Sequence, residues 1–120
     1  MFFKTIRSIY FALSGVKHAL IHENSLRLEF IFSAMLLVVA VALHVSYLEL
    51  ALLCVSIGVV FAAELLNTAV ERLADVISDG QFNEHIRIAK DVAAGGVLMS
   101  VFATFVVSCL ILCPRLMVLM

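Results

Sequence analysis

The chain has 120 residues, 64% of them hydrophobic and 14% charged, with a formal net charge of -1. Water-soluble domains are about half apolar and a quarter charged, so a mean hydropathy of +1.16 excludes an ordinary soluble domain and points to a membrane protein. The length allows one domain, and no basic excess suggests nucleic acid as a partner.

Residues 1–22 place Phe2, Ile6, Ile9, Leu13, Val16 and Leu20 at steps of three and four. Lys4, Arg7, Ser8, Ser14, Gly15, His18 and His22 fall on the opposite side. That period predicts an amphipathic helix lying on the membrane surface. Its dispersed apolar residues, with no small-residue cleavage site after them, do not resemble a signal peptide.

Three apolar runs follow. Phe30–Leu48 is interrupted only by Ser33, His44 and Ser46, and Val92–Cys113 is uncharged. Both reach the ~20 residues a helix needs to cross the hydrocarbon core. The middle run, Leu50–Ala63, reaches that length only by taking in Glu49 or Glu64. The expected architecture is all-α: a surface helix over 1–25 and membrane helices over about 28–47, 48–76 and 89–113, in a single domain 1–120. Ser78–His85 reads as a loop, and Pro114 is expected to end the last helix. Cys54, Cys109 and Cys113 lie inside apolar runs and read as small apolar fillers. Their spacing does not suit zinc.

Lys4, Arg7, Lys17 and Arg27 precede the first span, and Arg72, Arg87 and Lys90 lie between the second and third. The loop near Val45–Glu49 has no basic residue. This bias puts the N-terminus and residues 65–91 in the cytoplasm.

The stretch "AAELLNTAVERLAD" leaves the second apolar run. Glu64, Asn67, Thr68, Glu71 and Asp75 fall on one helical face, opposite Leu65, Leu66, Ala69, Val70, Leu73 and Val76. A helix end emerging into water accounts for Arg72 and Asp75. It does not account for Glu64, which completes the span. A carboxylate deep in a membrane helix costs about 2.5–3.5 kcal/mol on insertion scales. Two clusters share that side. "HENSLRLE" places Glu23 and Arg27 at i, i+4, with Glu29 at the mouth of the first span. "AKDVAAGG" places Lys90 and Asp91 at the mouth of the third. Snorkelling is the simpler reading of Arg27 and Lys90, and helix packing that of Gly95 and Gly96. The convergence of carboxylates, an amide and cations favours a site. Carboxylates without histidine or thiolate suit a hard cation such as Mg²⁺, and with Lys90 they supply the parts of phosphoryl transfer. No P-loop motif is present.

"ELLNTAVERLAD" followed by "AKDVAAGGVL" resembles the small prokaryotic diacylglycerol kinases, a family that includes undecaprenol kinases. The resemblance runs from the Phe-Phe-Lys start to the Cys-Pro-Arg end. It implies a three-span lipid kinase with ATP as co-substrate and Mg²⁺ as cofactor. It also implies a homotrimer in the bacterial inner membrane, with shared active sites on the cytoplasmic side. By motif, Glu64 is implied as the catalytic base, and Glu23 and Glu71 as metal ligands. Lys4, Phe11, Glu23, Asn67, Glu71, Gln81, Phe82, Asn83, Lys90 and Asp91 are implied at the nucleotide. Lys4, Arg27, Glu29, Glu64 and Ala94 are implied at the lipid substrate. Lys4 stands where the diacylglycerol kinase type has arginine, Phe11 where it has tyrosine, and the stretch from Asp75 to Lys90 is one residue longer. "DVAAGG" resembles the undecaprenol kinase type and "HENSLRLE" the diacylglycerol kinase type. The expected reaction is phosphorylation of diacylglycerol to phosphatidic acid, with undecaprenol as the alternative lipid. Outside that class stand a proton-coupled transporter using Glu64 and a scaffold whose polar faces pack subunits. Transporter sites sit near the bilayer midplane, whereas this stripe sits at one edge.

Overall fold

A computed structural model describes all 120 residues as four helices: α1 (Phe2–His22), α2 (Asn24–Ala42), α3 (Tyr47–Ser78) and α4 (Glu84–Leu119). The last three are each long and apolar enough to cross a membrane, so the chain is an all-α membrane protein. Only 10 of 120 residues are buried, and the apolar side chains of the spans point mostly outward. This is the reverse of a soluble bundle, as expected where lipid replaces water.

The α2–α3 turn is tightly specified. The His44 N–H donates to the Val41 carbonyl (3.1 Å) and the Val45 N–H to the Ala40 carbonyl (3.3 Å), with His44 left-handed at φ 57°. These two bonds form a Schellman end. Ser46 then caps α3. Its hydroxyl accepts from the Glu49 N–H at 3.1 Å, and the Glu49 carboxylate accepts from the Ser46 N–H at 3.0 Å. Together these two devices break the apolar run read over Phe30–Leu48 at Leu43. "SYLE" (Ser46–Glu49) is a capping-box signature that was legible in the sequence.

α3 and α4 form the main contact. The Thr104 hydroxyl reaches the Ser56 carbonyl at 3.3 Å while also donating to Ser100 in its own helix at 2.9 Å. Near the α2–α3 turn, Ala40, Leu53, Ile111 and Leu112 form the core cluster, with Leu36, Leu37, Leu43, Val45, Leu50 and Val107 packed around it.

Pro114 does not end α4, which continues to Leu119. Proline removes one backbone donor, a loss that membrane helices tolerate where neighbours hold the segment. The next residue supplies that hold: the Arg115 guanidinium pairs with Glu49 and reaches the His44 carbonyl at 3.5 Å.

α1 and α2 are separated by Glu23 alone, which is extended at φ -106°, ψ 113°. On α1, Phe2, Ile6, Ile9 and Leu13 remain uncovered. Ala12, Gly15, Val16 and Ala19 face α3 across a shallow groove that Leu65, Thr68, Ala69 and Arg72 complete.

Candidate active site

At ~1.5 Å of rise per residue, Glu64 lies about 26 Å along α3 from Tyr47, a distance close to the ~30 Å thickness of a hydrocarbon core. Asn67 and Glu71 lie one and two turns further on. All three are half-buried, whereas Leu66, Leu73 and Val76 on the opposite side are exposed. Glu64, Asn67 and Glu71 of the polar face thus turn inward, while Asp75 at its outer end is exposed. Asn67 Nδ2 donates to Glu71 Oε1 at 3.3 Å. That leaves Asn67 Oδ1 buried with no partner, an acceptor free to receive a ligand's donor or a cation.

α2 brings the remaining carboxylates to this face. Glu29, Glu71 and Glu23 all act electrostatically on Glu64, as does the Ser25 hydroxyl. Glu29 accepts a hydrogen bond from the buried Ser33 at 3.2 Å, which fixes its direction along α2. Glu23 receives Arg72 of α3 at 3.9 Å.

Beyond these groups, where the chain turns at Asp79 and Gly80 with positive φ, a pocket of about 330 Å³ opens. Ser78, Gln81, Phe82, Asn83, Ile86, Arg87, Lys90 and Asp91 line it. Asn83 caps α4, its side-chain carbonyl accepting from His85 N–H (2.9 Å) and Ile86 N–H (3.3 Å). Lys90 Nζ donates to Asp75 Oδ1 at 2.8 Å, tying α4 to α3. Lys90 lies outside the uncharged run. The bond to Asp75, then that residue's charge and that of Glu71, raise its pKa above the ordinary lysine value and keep it cationic. Lys90 thus joins the pocket to the carboxylate face.

The chain matches the prokaryotic diacylglycerol kinase family over residues 10–112. It belongs to that family. A diacylglycerol kinase of Synechocystis sp. is 33% identical over 113 residues, covering 94% of this chain and 65% of that protein. The chain therefore spans just under two thirds of that relative's length. The diacylglycerol kinase of Escherichia coli K12 is 28% identical over 111 residues, 92% of this chain and 90% of that protein. The undecaprenol kinase of Bacillus subtilis is 30% identical over 110 residues, 92% of this chain and 89% of that protein.

The residues implied by the diacylglycerol kinase resemblance separate into three sets. Glu23, Glu29, Glu64, Asn67 and Glu71 come together on the inward face, and Gln81, Phe82, Asn83, Lys90 and Asp91 around the pocket. Lys4, Phe11 and Ala94 are exposed, and Lys4 makes no ion pair or side-chain hydrogen bond to either group. Glu23 and Arg27, four residues apart, form no ion pair; Glu23 is the extended N-cap of α2. Arg27 instead donates to the Ile21 carbonyl at 3.2 Å. Three partners were not singled out from the sequence: Ser25 beside Glu64, Arg72 on Glu23, and Arg87 on Asp91 at 2.8 Å. Only the last had a readable signal, its i, i+4 spacing.

The donor chemistry fits Mg²⁺. The converging groups are oxygen donors, one of them the unpartnered Asn67 Oδ1. No three His, Cys, Asp or Glu side chains converge closely enough to cage an ion within the subunit. That suits a cation that takes one or two protein carboxylates and completes its shell with phosphate oxygens and water.

Proposed function

We propose that the chain is an ATP-dependent membrane lipid kinase that phosphorylates diacylglycerol to phosphatidic acid. The observation that carries this reading is the order of groups along α3. Glu64 sits at the lipid edge, Asn67 and Glu71 follow outward, and the Lys90 pocket lies beyond. A lipid alcohol reaches only as far as its tail allows, so the group that takes its proton must be the deepest carboxylate of the set. Glu64 is that group and acts as general base on the hydroxyl, in the role assigned to a positioned carboxylate in phosphoryl transfer. Ser25 and Glu29 border it on the α2 side, where the lipid headgroup approaches along Arg27.

ATP lies against Lys90, with Gln81, Phe82 and Asn83 at the pocket rim. Lys90 places a positive charge on the phosphates, and Asp75 holds the ammonium in position. Glu23, Glu71 and Asn67 would hold Mg²⁺, which neutralises charge on the phosphoryl group when bound. Lys4 and Phe11 of α1 and Ala94 of α4 stand apart within one subunit and join the site from a neighbouring copy. A homotrimer with shared sites is supported by the open small-residue surface at Gly95 and Gly96, where an added Cβ would meet nothing within 4 Å. The concentration of basic residues at this end supports a cytoplasmic site in the inner membrane.

The test is a reconstituted assay with labelled ATP and either diacylglycerol or undecaprenol in otherwise identical vesicles. Faster transfer to diacylglycerol is expected, and no transfer to any lipid alcohol sinks the kinase reading. The similar identities to the Escherichia coli and Bacillus subtilis relatives favour a second reading, undecaprenol as the lipid. Preferential labelling of undecaprenol in the same assay selects it.

A further inference from the structure

Arg72 has no part in the reaction described above, yet it makes the one ion pair between the carboxylate face and the hinge. It lies at the edge of the polar stripe, about 40° around the helix from Thr68. Its guanidinium reaches Glu23 Oε1 at 3.9 Å, with the Arg72 side chain 55% and the Glu23 side chain 29% exposed. Glu23 is the single extended residue between the surface helix and the first span. Its N–H donates to the Ala19 carbonyl at 2.7 Å and its carbonyl accepts from the Arg27 N–H at 3.4 Å, so its backbone is held at the junction of the two helices. The charge of Glu23, with those of Glu29 and Glu71, acts on Glu64. The other cations nearby are engaged elsewhere: Arg27 on the Ile21 carbonyl and Lys90 on Asp75.

We infer that Arg72 is an internal counter-ion and positioning residue for Glu23, holding that carboxylate at the site before the divalent cation arrives and giving it up when the cation binds. This deepens the proposed reading of Glu23 as a metal ligand and rests on it. The charges of Glu23, Glu29 and Glu71 each repel that of Glu64 when no cation is present. A guanidinium on one of them offsets part of that repulsion. The same contact must be broken or weakened for Glu23 to turn its charge to a metal. Arg72 therefore lowers metal affinity while keeping the ligand in place.

The probe is Mn²⁺ with a non-hydrolysable ATP analogue, titrated against full-length protein in nanodiscs and read by the loss of the free Mn²⁺ electron paramagnetic resonance signal. No lipid substrate and no turnover are involved. Arg72→Gln is expected to bind the ion about two- to fivefold tighter than wild type, the scale of a half-exposed ion pair. Arg72→Lys should stay near wild type. Arg27→Gln removes the same charge one turn from Glu23 without touching its ion pair and should change affinity less than twofold. Thermal melting in the presence of a chelator gives a second readout. Arg72→Gln should melt lower than wild type there, and the gap should close at saturating Mn²⁺ and analogue. Equal or weaker Mn²⁺ binding in Arg72→Gln overturns the inference. So does an equal gain in Arg27→Gln, or a wild type that takes up no Mn²⁺. A protein that shows the expected Mn²⁺ pattern but phosphorylates no lipid leaves the counter-ion intact and removes the kinase reading alone.

Discussion

At the end of the bundle that carries the α2–α3 turn, the caps and an ion pair close within the chain, and Arg115 Nε is the one buried side-chain group left without a partner. The Schellman bonds, the Ser46–Glu49 box and the Arg115–Glu49 pair lock three helices around Ala40, Leu53, Ile111 and Leu112. At the opposite end the same helices carry half-buried carboxylates, an amide oxygen without a partner and an open pocket. Leu26 and Ala74 are buried there, but neither joins a core cluster. One end pairs its caps and its carboxylate within the chain, whereas the other leaves carboxylates and an amide oxygen open to be completed from outside. Membrane helices gain little from burying apolar surface against each other, because lipid is equally apolar. Their fixed geometry then comes from polar caps and close packing at the turn end, which leaves the far end free to spend its polar groups on chemistry.

The sharpest way to test that division is to change one residue at each end. Glu64→Gln should lower phosphoryl transfer by about 10²–10⁴-fold, the range for a lost general base, while nucleotide binding and melting temperature stay at wild-type values. Activity within a few fold of wild type would take the base role from Glu64. Leu53→Ala should do the opposite. Leu53 is fully buried in the turn-end cluster, and the cavity should cost on the order of 2 kcal/mol in unfolding measurements, the low end for such truncations because the apolar solvent reduces the transfer term. Its KM for ATP should not move. A changed KM with unchanged stability would show that the two ends are not separable. A third variant probes the seam between pocket and carboxylates. Lys90→Met should raise the KM for ATP roughly tenfold, as loss of a charge-assisted contact to phosphate, with little effect on stability. An unchanged KM would place the phosphates away from Lys90.

The two ends also differed in how far the sequence disclosed them. The polar face of α3 was legible because charge is rare in a membrane span and a helical period arranges it unambiguously. Glu64, Asn67 and Glu71 are half-buried on that face, and Asp75 is exposed. Lys90 and Asp91 were legible at the mouth of the third span, the Gln81–Asn83 group was placed by resemblance, and the pocket that unites them depends on the turn at Asp79 and Gly80. The turn end was harder. An apolar run does not mark where a helix stops, and His44 holds a left-handed cap position where glycine would have announced one. Pro114 suggested a stop because the partner that steadies the helix beyond it, Glu49, lies 66 residues away in the chain. The Glu23–Arg72 pair was not legible either, because its partners lie on different elements 49 residues apart.

The smallest expected effect gives the most selective test of the turn end. Ser46→Ala removes one half of the capping box and leaves the Arg115–Glu49 pair available. The Glu49 N–H loses its acceptor at 3.1 Å, and losses of this kind cost about 1 kcal/mol. Water can reach this exposed turn and replace part of that bond, so the loss should not exceed this value. Unfolding in mixed micelles should therefore shift by about that amount, and hydrogen exchange should quicken at the first turn of α3 but not around Asn67 and Glu71. If exchange quickened at both ends together, the bundle would open as one unit, and the turn would be setting the geometry of the carboxylate face as well as its own.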